Sequence, residues 1–227
     1  MEGVKYPSRV SAPRIPLFPL ENVVLLPEVV VPLHVFEPRY RQLTAAALAG
    51  DRRIGMIAVR PEHAQAMAGD PPLYPIGCAG FVSEHRRLPD GRYHLLLQGT
   101  HRFRILGELP RDGERLYRIA EAELLPESTG DAARAAALRD QVIELLVRLS
   151  ERTLEPGQAI DVAKLRALEL ARFANAVSQS VSLPTREKQS LLEAASSEER
   201  LERLAGALDF QLAWLGRPDA GGPETLH

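Results

Sequence analysis

Histidine is the most versatile chemistry in this chain, yet none of its six histidines pairs with another at the i, i+4 or short-loop spacing of a metal site. His85, His94 and His101 fall on segments that alternate as strands, where pairing can bring two together. No carboxylate or cysteine cluster accompanies them, so no metal is expected. Lysine is scarce: Lys5, Lys164 and Lys188 are the only three. Lys188 has Ser190 two residues away, but positions i and i+2 on a helix point in different directions, so the two do not form a nucleophile–base dyad. The sequence holds no G-x-x-x-x-G-K-[ST] phosphate loop, no G-x-G-x-x-G fingerprint and no G-x-S-x-G elbow. No catalytic residue and no cofactor are therefore expected. One basic concentration remains: His85, Arg86, Arg87, Arg92, His94, His101, Arg102 and Arg104, on consecutive β-like segments. Such a sheet face could touch phosphates or acidic peptides, or these could be the alternate strand positions that must face water. Stacking aromatics are sparse there (Tyr93 and Phe103), which makes nucleic acid the secondary reading.

Composition narrows the classes further. The formal net charge of −2 gives no global field for nucleic-acid binding. A single cysteine, Cys78, excludes an internal disulfide and fits a reducing compartment. No apolar run reaches the ~20 residues that span a membrane, and no signal peptide follows the charges at the N-terminus. A cytoplasmic protein with no membrane partner is expected.

The elements that must position any site are organised around residues 15–43, IPLFPLENVVLLPEVVVPLHVFEPRYRQL. Pro16, Pro19, Pro27 and Pro32 prevent a helix from running through it, while its Val/Leu content demands burial. Short, interrupted strands at a sheet edge satisfy both. Pro38 then opens a helix that carries Tyr40, Leu43, Ala47 and Leu48 at helical spacing and stops at Gly50. Residues 53–61 read as a strand. From Ile76 a meander follows, with reversals at Pro89-Asp-Gly91 and Asp112-Gly113; Phe103 and Ile105 alternate with Arg102 and Arg104. At 124–131 the apolar period switches from about 2 to about 3.6, which places a boundary near 126. Beyond it the pattern predicts helices: one capped by Asp131, one running from Asp161 through Val177, a short one after Pro184, and a last one opened by the capping box Ser196-Ser-Glu-Glu199. The expected division is a loose lead-in at 1–13, a β-rich lobe at 14–126, a helical bundle at 127–217 and a disordered tail at 218–227.

Three blocks in this order, 15–43, GCAGFVSEHRRLPDGRYHLLLQGTHRFRI at 77–105 and EKQSLLEAASSEERLERLAGAL at 187–208, resemble the N-terminal, substrate-binding domain of the Lon protease family. The resemblance implies an α+β fold: a twisted, PUA-like β lobe built as a small half-closed barrel, followed by a helical bundle. Lon proteases continue into an ATPase module and a Ser-Lys peptidase module, whereas this sequence stops after the bundle. The implied function is non-catalytic contact with unfolded or apolar polypeptide, or with a partner protein, together with self-association. Leu25, Leu26 and Phe36 are the candidate apolar contacts, and Glu37, Arg39, Tyr40 and Arg41 the polar anchors, for a peptide in the groove between lobes or on an open strand edge. The alternative, RNA binding as in PUA-like proteins, rests on Arg86, Arg87, Arg92, Arg102 and Arg104.

Overall fold

The computed structural model describes residues 12–216 apart from 68, 154 and 156–159. Most of the lead-in, Lys5, the Pro156-Gly157 break and the tail lie outside the described residues. The prolines of the opening block divide it as its composition dictates. Strand β1 is Arg14–Leu20 and β2 is Val30–Val35, and between them Pro27 and Glu28, the latter at φ 62°, turn the chain. Pro38 is the first residue of α1 (Pro38–Ala49), and the Gly50 N–H caps its end on the Ala47 carbonyl. Strand β3 (Arg53–Ala58) and a 3-10 turn (Pro61–Ala66) lead into the meander β4 (Ile76–Arg87), β5 (Tyr93–Glu108) and β6 (Arg118–Leu125).

The six strands lie in the order β2-β5-β4-β3-β1-β6. Strand β5 is sixteen residues long; its residues 93–98 pair with β2 and 102–108 with β6, so the sheet curls back on itself. Register shifts at Ala79/Gly80, Val82/Glu84 and Ile105/Gly107 supply the bends that this curling needs. The inside of the curl is filled by Ile15, Leu17, Ile57, Ala79, Ala120 and Ala122 around the fully buried ring of Phe103. A second core, on the other side of β3 and β4, takes Phe18, Leu25, Leu26, Tyr40, Leu43 and Met56. Cys78 is buried there, and burial pushes its thiol up to about 12.

Helices α2 (Ala132–Thr153), α3 (Val162–Ala167), α4 (Leu170–Ser180), α5 (Thr185–Glu193) and α6 (Ser197–Leu215) complete an α+β fold. Asp131 accepts from the Arg134 N–H and Ser196 from the Glu199 N–H, so both expected caps form. The helix expected from Asp161 through Val177 is instead two helices. Glu169 takes an extended backbone, and its carboxylate accepts from the Ala171 and Arg172 N–H groups, starting α4 afresh. An acidic N-cap inside an apolar stripe outweighs the continuity of the stripe. The apolar residues expected on one helix thus belong to two: α4 buries Phe173, Ala174 and Val177, and α3 buries none.

The two parts meet over a polar seam. Gln179 on α4 clamps the β1–β2 connection, accepting from the Leu26 N–H and donating to the Val24 carbonyl. Gln189 on α5 donates to the Ile76 carbonyl. Arg102 on β5 donates to the Leu192, Ala194 and Pro126 carbonyls and to Glu127, whose carboxylate also receives Arg200 from α6.

Candidate functional site

Leu25, Leu26 and Tyr40 are interior residues, which corrects their assignment as contacts for a peptide. Leu25 and Leu26 are at most 1% exposed and fill the core that faces α4 and α5. Tyr40 is 3% exposed; its hydroxyl donates to the Pro19 carbonyl, and its ring packs edge-on against Phe18. That burial pushes its phenol up to about 12. Glu37 and Arg39 pair at 2.8 Å, with Arg39 lying over the Tyr40 ring, and Arg41 packs against Gly91. These three groups brace the start of α1. The contact region between lobes is likewise filled by the seam described above.

The five arginines of the alternative site share no face. Arg102 is 3% exposed and spent on the seam. Arg104 pairs with Glu123 and Arg92 with Asp90, while Arg87 lies over the Tyr93 ring. Only Arg86 projects from the outer face without a carboxylate partner. The two-residue period of a strand separates Arg86 from Arg87, and the helical lobe covers the side on which Arg102 sits.

Phe36 is 60% exposed, and it borders a surface that the sequence did not single out. Strand pairing aligns three rows across β2, β5 and β4: Val30, Gln98 and Phe81; Pro32, Leu96 and Glu84; His34, His94 and Arg86. Residues opposite one another point to the same side of a sheet. The partner positions of opposite parity, Val31, Leu33, Val35, Tyr93, Leu95 and Leu97, face the core. Among the described residues no helix covers the outer side, and its second and third rows, from Pro32 and Leu96 to His34, His94 and Arg86, line a shallow depression of about 480 Å³. Beside it, the first row exposes Val30 at 46% and Phe81 at 41%. At the end of the face the His34 ring packs edge-on between His94 (4.8 Å) and Phe36 (6.0 Å). The period-2 series Val30, Pro32, His34, Phe36 was the available signal, hidden because the buried positions between them are also apolar.

Strand β2 is an edge of the sheet, and Pro32 guards it. The Gly99 N–H donates to the Val29 carbonyl, which sets the parity of the ladder. Val31, Leu33 and Val35 therefore address β5, and the backbone groups of Val30, Pro32 and His34 face outward. The missing N–H is thus the central donor of the free edge, the position at which proline blocks an incoming strand. Pro32→Val should restore it and promote concentration-dependent self-association, measurable by sedimentation. Unchanged monomer–oligomer distribution would remove this role from Pro32.

A second apolar depression, about 900 Å³, lies between the C-terminal ends of α2 and α6 and exposes Phe210. Among the described residues no group of three or more metal-ligating side chains converges, and no helix is long and apolar enough to cross a membrane.

The family model of the substrate-binding domain of ATP-dependent protease La (Lon) matches residues 14–209. Lon protease of Escherichia coli K12 is 30% identical over 214 residues, covering 91% of this chain and 26% of that protein. Lon protease of Dictyoglomus thermophilum is 24% identical over 198 residues, covering 87% and 24%. The chain thus spans about a quarter of the length of these relatives. Among solved structures, the N-terminal domain of Mycobacterium avium complex Lon protease superposes with a TM-score of 0.64 at 18% identity, covering 87% of this chain and 98% of that one. A Lon N-terminal domain protein from Xanthomonas campestris gives 0.56 at 22%, covering 86% and 98%. With the family model spanning most of its length, the chain belongs to the family of Lon substrate-binding domains.

Proposed function

We propose that this chain is a non-catalytic recognition module for unfolded polypeptide, which it receives on the uncovered face of β2, β5 and β4. The observation that carries the reading is the row structure of that face. Val30, Pro32, Phe36, Phe81 and Leu96 offer apolar contact in extended-chain spacing, on a surface that no other element among the described residues covers. Membership in the Lon substrate-binding family supports polypeptide as the ligand class. The proline on the free edge favours docking by side chains on the face over addition of a strand. We assign no cleavage step to the chain, and the single buried thiol suits a cytoplasmic setting.

Binding of a fluorescently labelled, permanently unfolded polypeptide, followed by anisotropy, tests this. Wild type should bind it at least tenfold tighter than the same polypeptide folded. The double variant Phe36→Ser, Phe81→Ser should lose about 2 kcal/mol or more, roughly 30-fold, as truncated apolar anchors do. Both side chains are exposed, so the melting temperature should hold. Equal affinity for folded and unfolded forms would overturn the reading. So would loss of binding in Phe210→Ser with the sheet-face variant unaffected, which would move the site to the helical depression.

A further inference from the structure

We infer that the polypeptide segments taken by this face carry a carboxylate next to their apolar side chains, received by Arg86 with His94 and His34. The inference rests on the reading of the face as a polypeptide surface, and it adds the chemistry of the segment.

The third row of the face differs from the other two. Val30, Gln98 and Phe81, then Pro32, Leu96 and Glu84, are mainly apolar, but His34, His94 and Arg86 bring nitrogen donors to one line. Pro32 and Leu96 form a pair without ladder hydrogen bonds between them, and so do His34 and His94 two residues on; in such pairs the side chains approach closely. The imidazole rings lie 4.8 Å apart, and Arg86 Nη2 lies 3.5 Å from His94 Nδ1. Guanidinium carries five N–H donors in a fork that matches a carboxylate, and each imidazole brings at least one more. Arg92 in the hairpin turn, Arg104 on β5 and Arg53 on β3 each hold a carboxylate within 4 Å, whereas Arg86, among the described residues, holds none. Arg87, the next residue, likewise lacks an acid partner and adds its charge from the other side of the strand. The end of the hairpin is therefore a local excess of positive charge on a chain whose net charge is −2.

The rows also set a spacing. Successive rows along a strand are two residues apart, roughly 7 Å. A ligand running parallel to β2 therefore places an acidic side chain over the third row and an apolar one, two residues away, over Phe36 on one side or Pro32 and Leu96 on the other. Glu84 stands in the second row, opposite Leu96, and makes no ion pair with Arg86. It repels an acid at that position and confines the acidic residue to the third row.

Two labelled peptides test this, identical apart from Glu or Gln placed two residues from a Phe in an otherwise neutral, apolar, extended sequence. With the full chain at low salt, the Glu peptide should bind about 3- to 5-fold tighter than the Gln peptide, the range of an exposed ion pair, and the ratio should fall toward one at high salt. Arg86→Gln should abolish the ratio. Glu84→Gln should enlarge it. Equal binding of the two peptides, or a ratio that survives Arg86→Gln, overturns the inference and leaves the polypeptide reading standing. Single-stranded RNA of matched charge binding as tightly as the Glu peptide would also overturn it, in favour of a general polyanion surface. If neither peptide binds, the polypeptide reading falls as well. Arg86 and Glu84 are exposed, so both variants should melt with the wild type.

Discussion

Glu127→Gln should lower the melting temperature by roughly 6–12 °C, corresponding to about 3 kcal/mol at two to four degrees per kcal/mol for a chain of this size. The reason is an imbalance of buried charge. Arg200 is fully buried and Arg102 is 3% exposed, and among the described residues a single carboxylate, Glu127, lies within 4 Å of both. Burial weakens the hold of Arg200 on its proton, bringing its pKa down. Its Nη1 reaches Asn175 and Glu127, while Nη2 is buried without a protein hydrogen-bond partner. Glutamine keeps the shape and one acceptor of Glu127 but removes the charge, leaving two cations compensated only by carbonyls. Since Arg102 comes from the sheet, Arg200 from the helices and Glu127 from the connection between them, the loss falls on the junction. Limited proteolysis should then cut near 126–131 before either part is degraded. A melting point unchanged within two degrees would mean that carbonyl groups alone satisfy both guanidinium groups.

The same triad marks where sequence reading stops. The alternation of Phe103 and Ile105 with Arg102 and Arg104 was legible, and so was β5. Which arginine meets water was not, because it depends on a helix placed about ninety residues later, and no local pattern encodes that. Tyr40 is a similar case. Helical spacing put it with Leu43 and Ala47, and all three are buried; its neighbours Glu37, Arg39 and Arg41 made it resemble part of a polar cluster. Prolines, glycines and capping residues gave the element boundaries because each acts through its own backbone. Only Glu169, which caps α4 within an apolar stripe, broke the pattern. The proposed binding face was half legible. Its residues lie at alternate positions of β2, but its rows exist only once β5 and β4 are paired, and the bulge between Val82 and Glu84 decides which residues of β4 turn outward.

Phe103→Ala should cost about 4 kcal/mol, the usual loss for a buried aromatic ring, and leave the inside of the curled sheet without its largest side chain. The chain is built around that ring in a way that a second substitution can expose. At Gly55 a Cβ would come within 3.0 Å of Phe103 Cζ and 2.5 Å of Ile15 Cγ2, both side-chain atoms. At Gly77 it would meet the Met56 carbonyl oxygen at 2.6 Å as well as the ring at 2.7 Å. Gly55→Ala alone should therefore destabilise through overpacking, by about 1–3 kcal/mol. Combined with Phe103→Leu, the share of that cost owed to the ring should vanish, because the shorter side chain vacates that space and leaves only the contact with Ile15 Cγ2, itself a side-chain atom. Gly77→Ala should gain far less from Phe103→Leu, since the backbone oxygen does not move with the side chain. Chemical denaturation of the two double-mutant cycles measures this difference, with coupling of at least 0.5 kcal/mol expected at Gly55 and less at Gly77. Equal coupling at both glycines would mean that the sheet relaxes as a whole and that the ring does not set its curvature.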